Sequence, residues 1–374
     1  MNPAVVGVLI VMLGGVAGAV FYLPFKKVQG WAWESYWMIY ALVGLIVVPW
    51  ALALTTSPNV LSVLSKTDPT VLLFCFLCGV MWGFGGLTWG MMMRYLGFGL
   101  GLALGAGILS SVGTLVPMAI KGELGKLVTP GAGVTSLIGI LMSFLGIVMV
   151  GLAGMSKEGE VSEEEKKKAV AEFNFKKGVL FAIFSGVMSA GMFFGLTGGP
   201  AIEDMAQKLQ PATSASWKGM PVLVVVLLGG FVVNALWCLF LNLRNKTLGD
   251  YTKKATPLAG NYVFAALAGA IWCSQFICFK TGEPRLGEMK YVEPAVLMAS
   301  AILFGSLLGI YLGEWKGTSP RTRSLLGAGL VLLLLSSVVV SYSGYLAEQE
   351  KPAGTTAAPT KAAARLAPGV RPPV

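Results

Sequence analysis

The sequence predicts an all-α integral membrane protein of ten transmembrane helices, arranged as two inverted five-helix repeats. Three observations predict it. The chain of 374 residues is 55% apolar and only 12% charged, with a mean hydropathy of +0.73. Its 28 Lys and Arg and 18 Asp and Glu all fall outside ten charge-free stretches of 20 to 25 residues. A helix rising about 1.5 Å per residue needs roughly 20 apolar residues to cross hydrocarbon, so each stretch is one span long. Lastly, a shift of 171 residues lays Gly7-Val8-Leu9 on Gly178-Val179-Leu180, Gly15-Val16 on Gly186-Val187 and Ala19 on Ala190. Five spans per repeat invert the second half relative to the first, which is a transporter signature.

The spans are predicted at residues 4–23, 35–55, 71–93, 98–120, 134–155, 178–198, 219–243, 258–279, 294–313 and 324–347. Helices are required because lipid offers no partner to a backbone N–H or C=O. The first stretch contains Ala17-Gly18-Ala19, which resembles a signal-peptide cleavage site. It lacks a basic start and stays apolar to Leu23, so it reads as a retained span. Span three sets Gly79, Gly83, Gly86 and Gly90 on one face, and span four opens on Gly97-xxx-Gly101-xxx-Gly105, spacings that let helices approach closely. The domains are then a first repeat over 1–155, a charged linker over 156–177 with its Glu163–Lys168 charge run, a second repeat over 178–347 and a disordered tail over 348–374. Loops after odd-numbered spans hold 16 Lys and Arg against 8 after even-numbered ones, which favours odd loops in the cytoplasm. The net charge of +10 therefore reads as loop asymmetry against a lipid bilayer and not as a nucleic-acid surface.

Catalysis has no support in the residues. The chain has no histidine, and His-Glu-x-x-His, Gly-x-Ser-x-Gly and phosphate-cradling Gly-Lys-Ser patterns are missing, so neither an enzyme nor a cofactor is predicted. All five cysteines lie in spans. Cys75-x-x-Cys78 has no second pair to complete a metal site, so the cysteines read as small packing residues and no metal is expected.

The spans do hold uncharged polar and aromatic groups. Trp82 and Trp89 are seven apart in span three, Ser185 and Ser189 four apart in span six, Asn234 lies in span seven, and Trp272 and Gln275 are three apart in span eight. An indole face covers the C–H face of a sugar ring, and amides and hydroxyls serve its hydroxyls, so this set suits a small neutral sugar better than an ion. Packing of the tryptophans and interhelical hydrogen bonds of Asn234 and Gln275 are the plainer alternatives. A coupling cation, proton or sodium, needs a carboxylate, and span cores have none. Glu34 stands just before span two beside Trp31-x-Trp33, an apolar setting suited to a carboxylate that exchanges a proton. Glu293 is second, since the helix starting at Pro294 would stabilise its anion.

The chain resembles the L-rhamnose/proton symporter family of the drug/metabolite transporter superfamily. The resemblance rests on Phe21-Tyr22-x-Pro24-Phe25-Lys26-Lys27-Val28 with Trp31-x-Trp33-Glu34, Met81-Trp82-Gly83, Met93-Arg94-Tyr95-Leu96-Gly97 and Gly113-Thr114-Leu115. In the second half it rests on Glu172-Phe173-Asn174-Phe175-Lys176-Lys177-Gly178, Ser189-Ala190-Gly191-Met192, Trp272 with Gln275-Phe276, and Glu314-Trp315. It implies import of L-rhamnose or a related 6-deoxyhexose by alternating access, coupled to a cation gradient and usually to protons, across a bacterial inner membrane. The chain departs from the family pattern at Val292 to Met298, which has neither tryptophan nor histidine. Rival readings are a transporter of the same fold with another cargo, such as L-fucose, and a membrane sensor without flux.

Overall fold

The computed structural model describes residues 3–120, 124–160, 162, 164, 173–286 and 293–350. Most of the expected linker and the tail beyond residue 350 lie outside the described residues, whose regular structure is entirely helical, with no strand. Helix α1 is Pro3–Val20, followed by a 3-10 turn Pro24–Lys27. Helix α2, Trp33–Thr56, contains a π-helical stretch Leu42–Val47. A short α3, Val60–Lys66, precedes α4, Pro69–Leu96, and α5, Phe98–Ile120. Then come α6, Ala132–Glu160, α7, Phe175–Thr197, and a short α8, Pro200–Lys208. The chain continues through α9, Met220–Asn245, α10, Leu258–Leu286, α11, Glu293–Tyr311, and α12, Pro320–Gln349.

Among the described residues, seven helical segments are long and apolar enough to cross a membrane: Val5–Lys27, Trp33–Thr56, Pro69–Leu96, Ala132–Lys157, Phe175–Lys208, Met220–Asn245 and Leu258–Leu286. Their outward faces carry large apolar side chains such as Leu13, Leu180, Leu236 and Val263. That is the distribution lipid selects, since it asks only that backbone polar groups be paired within the helix.

Local chemistry fixes where helices start and stop. Asp68 accepts the Thr70 N–H at 2.8 Å, with Pro69 at the first helical position of α4. Helix α4 ends on Gly97 at φ +82°, a conformation that a Cβ would strain, and α5 turns back at once. Asn174 caps α7 by accepting the Lys177 N–H, and Ser319 caps α12 by accepting that of Thr322. Helices α6 and α7 reach into the expected linker, which narrows it to the residues between Glu160 and Phe175. Lys157 shows why. It is 1% exposed and its ammonium lies 4.9 Å from the Phe173 ring and 5.0 Å from the Trp315 ring, so two aromatic faces flank its charge.

Glycines set the tightest crossings. A Cβ on Gly44, in the π stretch of α2, would meet the Gly269 carbonyl of α10 at 2.7 Å. A Cβ on Gly79 of α4 would sit inside the carbonyl of Val226 in α9. Both are backbone-on-backbone contacts that a larger residue closes. The cysteines are free; Cys75 donates to the Gly195 carbonyl at 3.4 Å, and no group of metal-ligating side chains occurs among the described residues.

Candidate functional site

A cavity of about 80 Å³ lies among α1, α2, α4, α5, α7, α10 and α11. It collects five of the seven side chains chosen as sugar ligands: Trp82, Trp89, Ser189, Trp272 and Gln275. The two central indoles, one on α4 and one on α10, stack on each other with ring centroids 5.0 Å apart and an interplanar angle of 28°. Trp272 also meets Tyr40 edge-on at 6.1 Å and Phe276 at 5.1 Å. Gln275 faces Gly18 of α1, where a Cβ would meet its Oε1 at 2.6 Å, so the amide sits in space that only glycine leaves. No charged side chain is among the described residues that line the cavity.

The other two lie behind the wall. Ser185 is fully buried and donates to the Gly85 carbonyl at 2.7 Å, tying α7 to α4. Asn234 accepts the Trp37 indole N–H at 2.8 Å and donates to the Gly230 carbonyl at 2.8 Å. Both positions satisfied the polarity pattern but point at neighbouring helices, where a buried polar group must find its partner. Asn234 thus orients a tryptophan that does line the cavity. Residue type alone had not singled out Trp37, Tyr40, Phe276 or Met192, although Met192 and Phe276, like Phe21 and Tyr22, belong to stretches quoted above. Trp37 and Tyr40, three apart on α2, had a helical signal available.

Glu34 is not in this cavity. It lies in the first turn of α2, 5% exposed, and its Oε1 accepts from Asn245 Nδ2 and Thr247 Oγ1, each at 2.9 Å. Thr247 also donates to Asn242, which accepts from Ser35. Ser35 in turn donates to Asp250 at 2.8 Å, and Asp250 accepts the Ala32 N–H at 2.8 Å. Ala32 occupies the N-cap of α2 and has no side chain able to cap it, so a carboxylate 218 residues away does so. No local pattern marks Asp250 for this. Glu293 opens α11, and its side chain lies outside what the structure describes.

At the other end of α9, roughly 38 Å away at 1.5 Å per residue, an ion-pair network closes the space between α8 and α10. Glu203 pairs with Lys218 and Lys280, each at 2.9 Å, and Lys280 also reaches Glu283 at 3.1 Å. The cavity thus lies between two polar girdles, one of full charge pairs and one of carboxylates held by neutral donors.

Residues 1–345 match the family described as L-rhamnose-proton symport protein (RhaT). Among similar proteins, an L-rhamnose-proton symporter of Klebsiella pneumoniae (strain 342) is 32% identical over 345 residues, covering 91% of this chain and 98% of that protein. Proteins of the same name from Cronobacter sakazakii and Shigella dysenteriae are each 31% identical over 343 residues, covering 91% of this chain and 97% and 98% of theirs. A match of this length, carried by a chain whose long apolar helices enclose an uncharged aromatic cavity, means that the chain belongs to the L-rhamnose-proton symport protein family.

Proposed function

We propose that this chain imports L-rhamnose together with a proton by alternating access, through ten spans arranged as two inverted five-helix repeats. Membership of the symporter family makes it a multi-pass transporter of the bacterial inner membrane and not an enzyme. The observation that carries the sugar reading is the stacked Trp82–Trp272 pair beside Gln275 and Ser189, drawn from both halves of the chain around a charge-free cavity. A 6-deoxyhexose has a methyl and several C–H groups for the rings, and hydroxyls for the amide and hydroxyl. The present cavity is small, so entry of a pyranose parts the indoles or moves a helix.

Helix packing supports the repeat. In each half a tryptophan follows the crossing glycine by three residues, Gly79 with Trp82 and Gly269 with Trp272, and the two tryptophans stack. The α4–α9 crossing at Gly79 has its counterpart in the α10–α2 crossing at Gly269. Likewise α1 packs on α10 and α11 as α7 packs on α4 and α5. A two-fold axis in the membrane plane would generate this pattern, with the sugar near it.

For the proton, Glu34 is our choice. Trp37, on the same helix and roughly 4.5 Å further along its axis, lines the cavity, and Trp33 stacks on it at 4.9 Å. Protonation removes the charge that strengthens the bonds from Asn245 and Thr247, which loosens α2 from α9. Sodium at the same carboxylate is the alternative that ion substitution tests. The decisive measurement is uptake of labelled L-rhamnose into proteoliposomes under an imposed pH gradient, against a panel including L-fucose. Accumulation of rhamnose alone is expected; equal accumulation of L-fucose, dependence on sodium, or no flux would each reject the reading.

A further inference from the structure

A second concavity, about 740 Å³ in volume, runs along α4, α7 and α9 on the outer side of the bundle. Its charged residues and its one amide are gathered at one end: Glu34 in the first turn of α2, Arg94 in the last turn of α4 and Asn245 at the end of α9, while the Thr88 hydroxyl lower down is taken up by the Phe84 and Gly85 carbonyls of its own helix. From there it descends past Phe84, Phe184 and Leu236. Arg94 and Phe84 are ten residues apart on one helix, about 15 Å of rise, so the furrow is polar at the helix ends and apolar for the depth of an acyl chain. Leu236 is 64% and Phe184 46% exposed, as befits side chains that meet lipid and not protein.

We propose that this groove binds a glycerophospholipid, with one acyl chain in the furrow and its phosphodiester at Arg94. An amphiphile is the ligand class whose polarity changes along its length as the groove does. The planar guanidinium presents paired N–H donors that match two phosphate oxygens. A bound lipid would also cover the outer side of Glu34, keeping bulk water from the carboxylate that this wall shares with the coupling network. The inference needs only that the chain spans a bilayer, so it succeeds or fails separately from the sugar reading.

The test uses full-length protein in detergent, stripped of lipid and titrated in turn with dioleoyl phosphatidylglycerol, dioleoylglycerol and inorganic phosphate, with complexes counted by native mass spectrometry. The phospholipid should bind more tightly than dioleoylglycerol or phosphate. Arg94→Gln should weaken it roughly tenfold, the loss of a charge-assisted hydrogen bond. Leu236→Trp fills the furrow from a position that already faces lipid, so it should reduce retention even if Arg94→Gln does not fold. Dioleoylglycerol binding as tightly as the phospholipid, or a folded variant retaining phospholipid as the wild type does, would overturn the proposal.

Discussion

Trp82 and Trp272 bury each other's faces, and the pair competes with any ring that enters between them. Trp82→Ala removes one plate of that pair and some of the aromatic contact, worth about 0.5–1.5 kcal/mol beyond the area itself. Sugar affinity should fall by roughly tenfold or more, measured as quenching of tryptophan fluorescence on titrating L-rhamnose into detergent-solubilised protein. An unchanged affinity would remove the indole pair from the site. Gly18 offers a finer probe, because a methyl there meets Gln275 Oε1 at 2.6 Å. Gly18→Ala should raise the KM for uptake several-fold while leaving the unfolding temperature near that of the wild type, since it displaces only the end of a side chain. Residue type and spacing made Trp82, Trp272, Gln275 and Ser189 visible beforehand, because indoles and amides in a span are few. The same logic also chose Ser185 and Asn234, which bond to neighbouring helices behind the cavity wall, since polarity within a span says nothing about which neighbour the side chain faces.

Helix α2 depends on residues far away in sequence. The Ala32 N–H at its N-cap and the Ser35 hydroxyl in its first turn are served by Asp250, and its flanking loop is gripped by Asn261, which accepts the Gln29 N–H and donates to the Gln29 carbonyl. Asp250→Ala deletes the cap, so stability should drop by about 0.5–2 kcal/mol, read as a lower thermal midpoint in detergent. Transport should suffer more than stability, because α2 carries Trp37 and Tyr40 into the cavity. Helix α12 is started similarly from outside. The Glu160 carboxylate at the end of α6 accepts the Ser319 N–H at 2.7 Å and the hydroxyls of Thr322, Ser319 and Ser156. That backbone N–H first, and then the hydroxyls, hold its pKa down at about 2 from 4.5. A carboxyl depressed on folding contributes stability that is fully present above about pH 4.5 and is lost as pH falls toward 2. Glu160→Gln should therefore lower the thermal midpoint at pH 7 and lower it less at pH 3; an equal effect at both would show that charge is not what matters there.

Across the whole molecule, Glu34, proposed for the proton, and the cavity proposed for the sugar are separate and joined by α2. If Glu34 carries the proton, Glu34→Gln keeps the bonding shape but not the titration. It should then abolish accumulation against a gradient while sparing exchange of labelled for unlabelled sugar, which needs no net proton movement. Accumulation that persists in Glu34→Gln would shift attention to Glu293. The far end of the chain has the opposite character. Helix α12 reaches Gln349 and Glu350 accepts the Ala132 N–H at 2.9 Å, whereas residues 351–374 are rich in Ala, Pro and Thr with no apolar run. Deletion of 351–374 should leave uptake within roughly a factor of two, and a collapse would show that this segment docks.

The sequence by itself determined that the chain is helical and lies in lipid, because a charge-free stretch of this length has no other low-energy state in hydrocarbon. It also determined the residue types from which a sugar site could be made, and in Phe21–Glu34 and the stretches that match it, the family. Only the tertiary structure decided that Trp82 stacks on Trp272, that Asn234 serves Trp37, and that Asp250 and Glu34 meet the ends of α2 and α9. Each of those pairs is separated by more than 180 residues, and periodicity reports a helix's own faces without reporting what another helix brings against them.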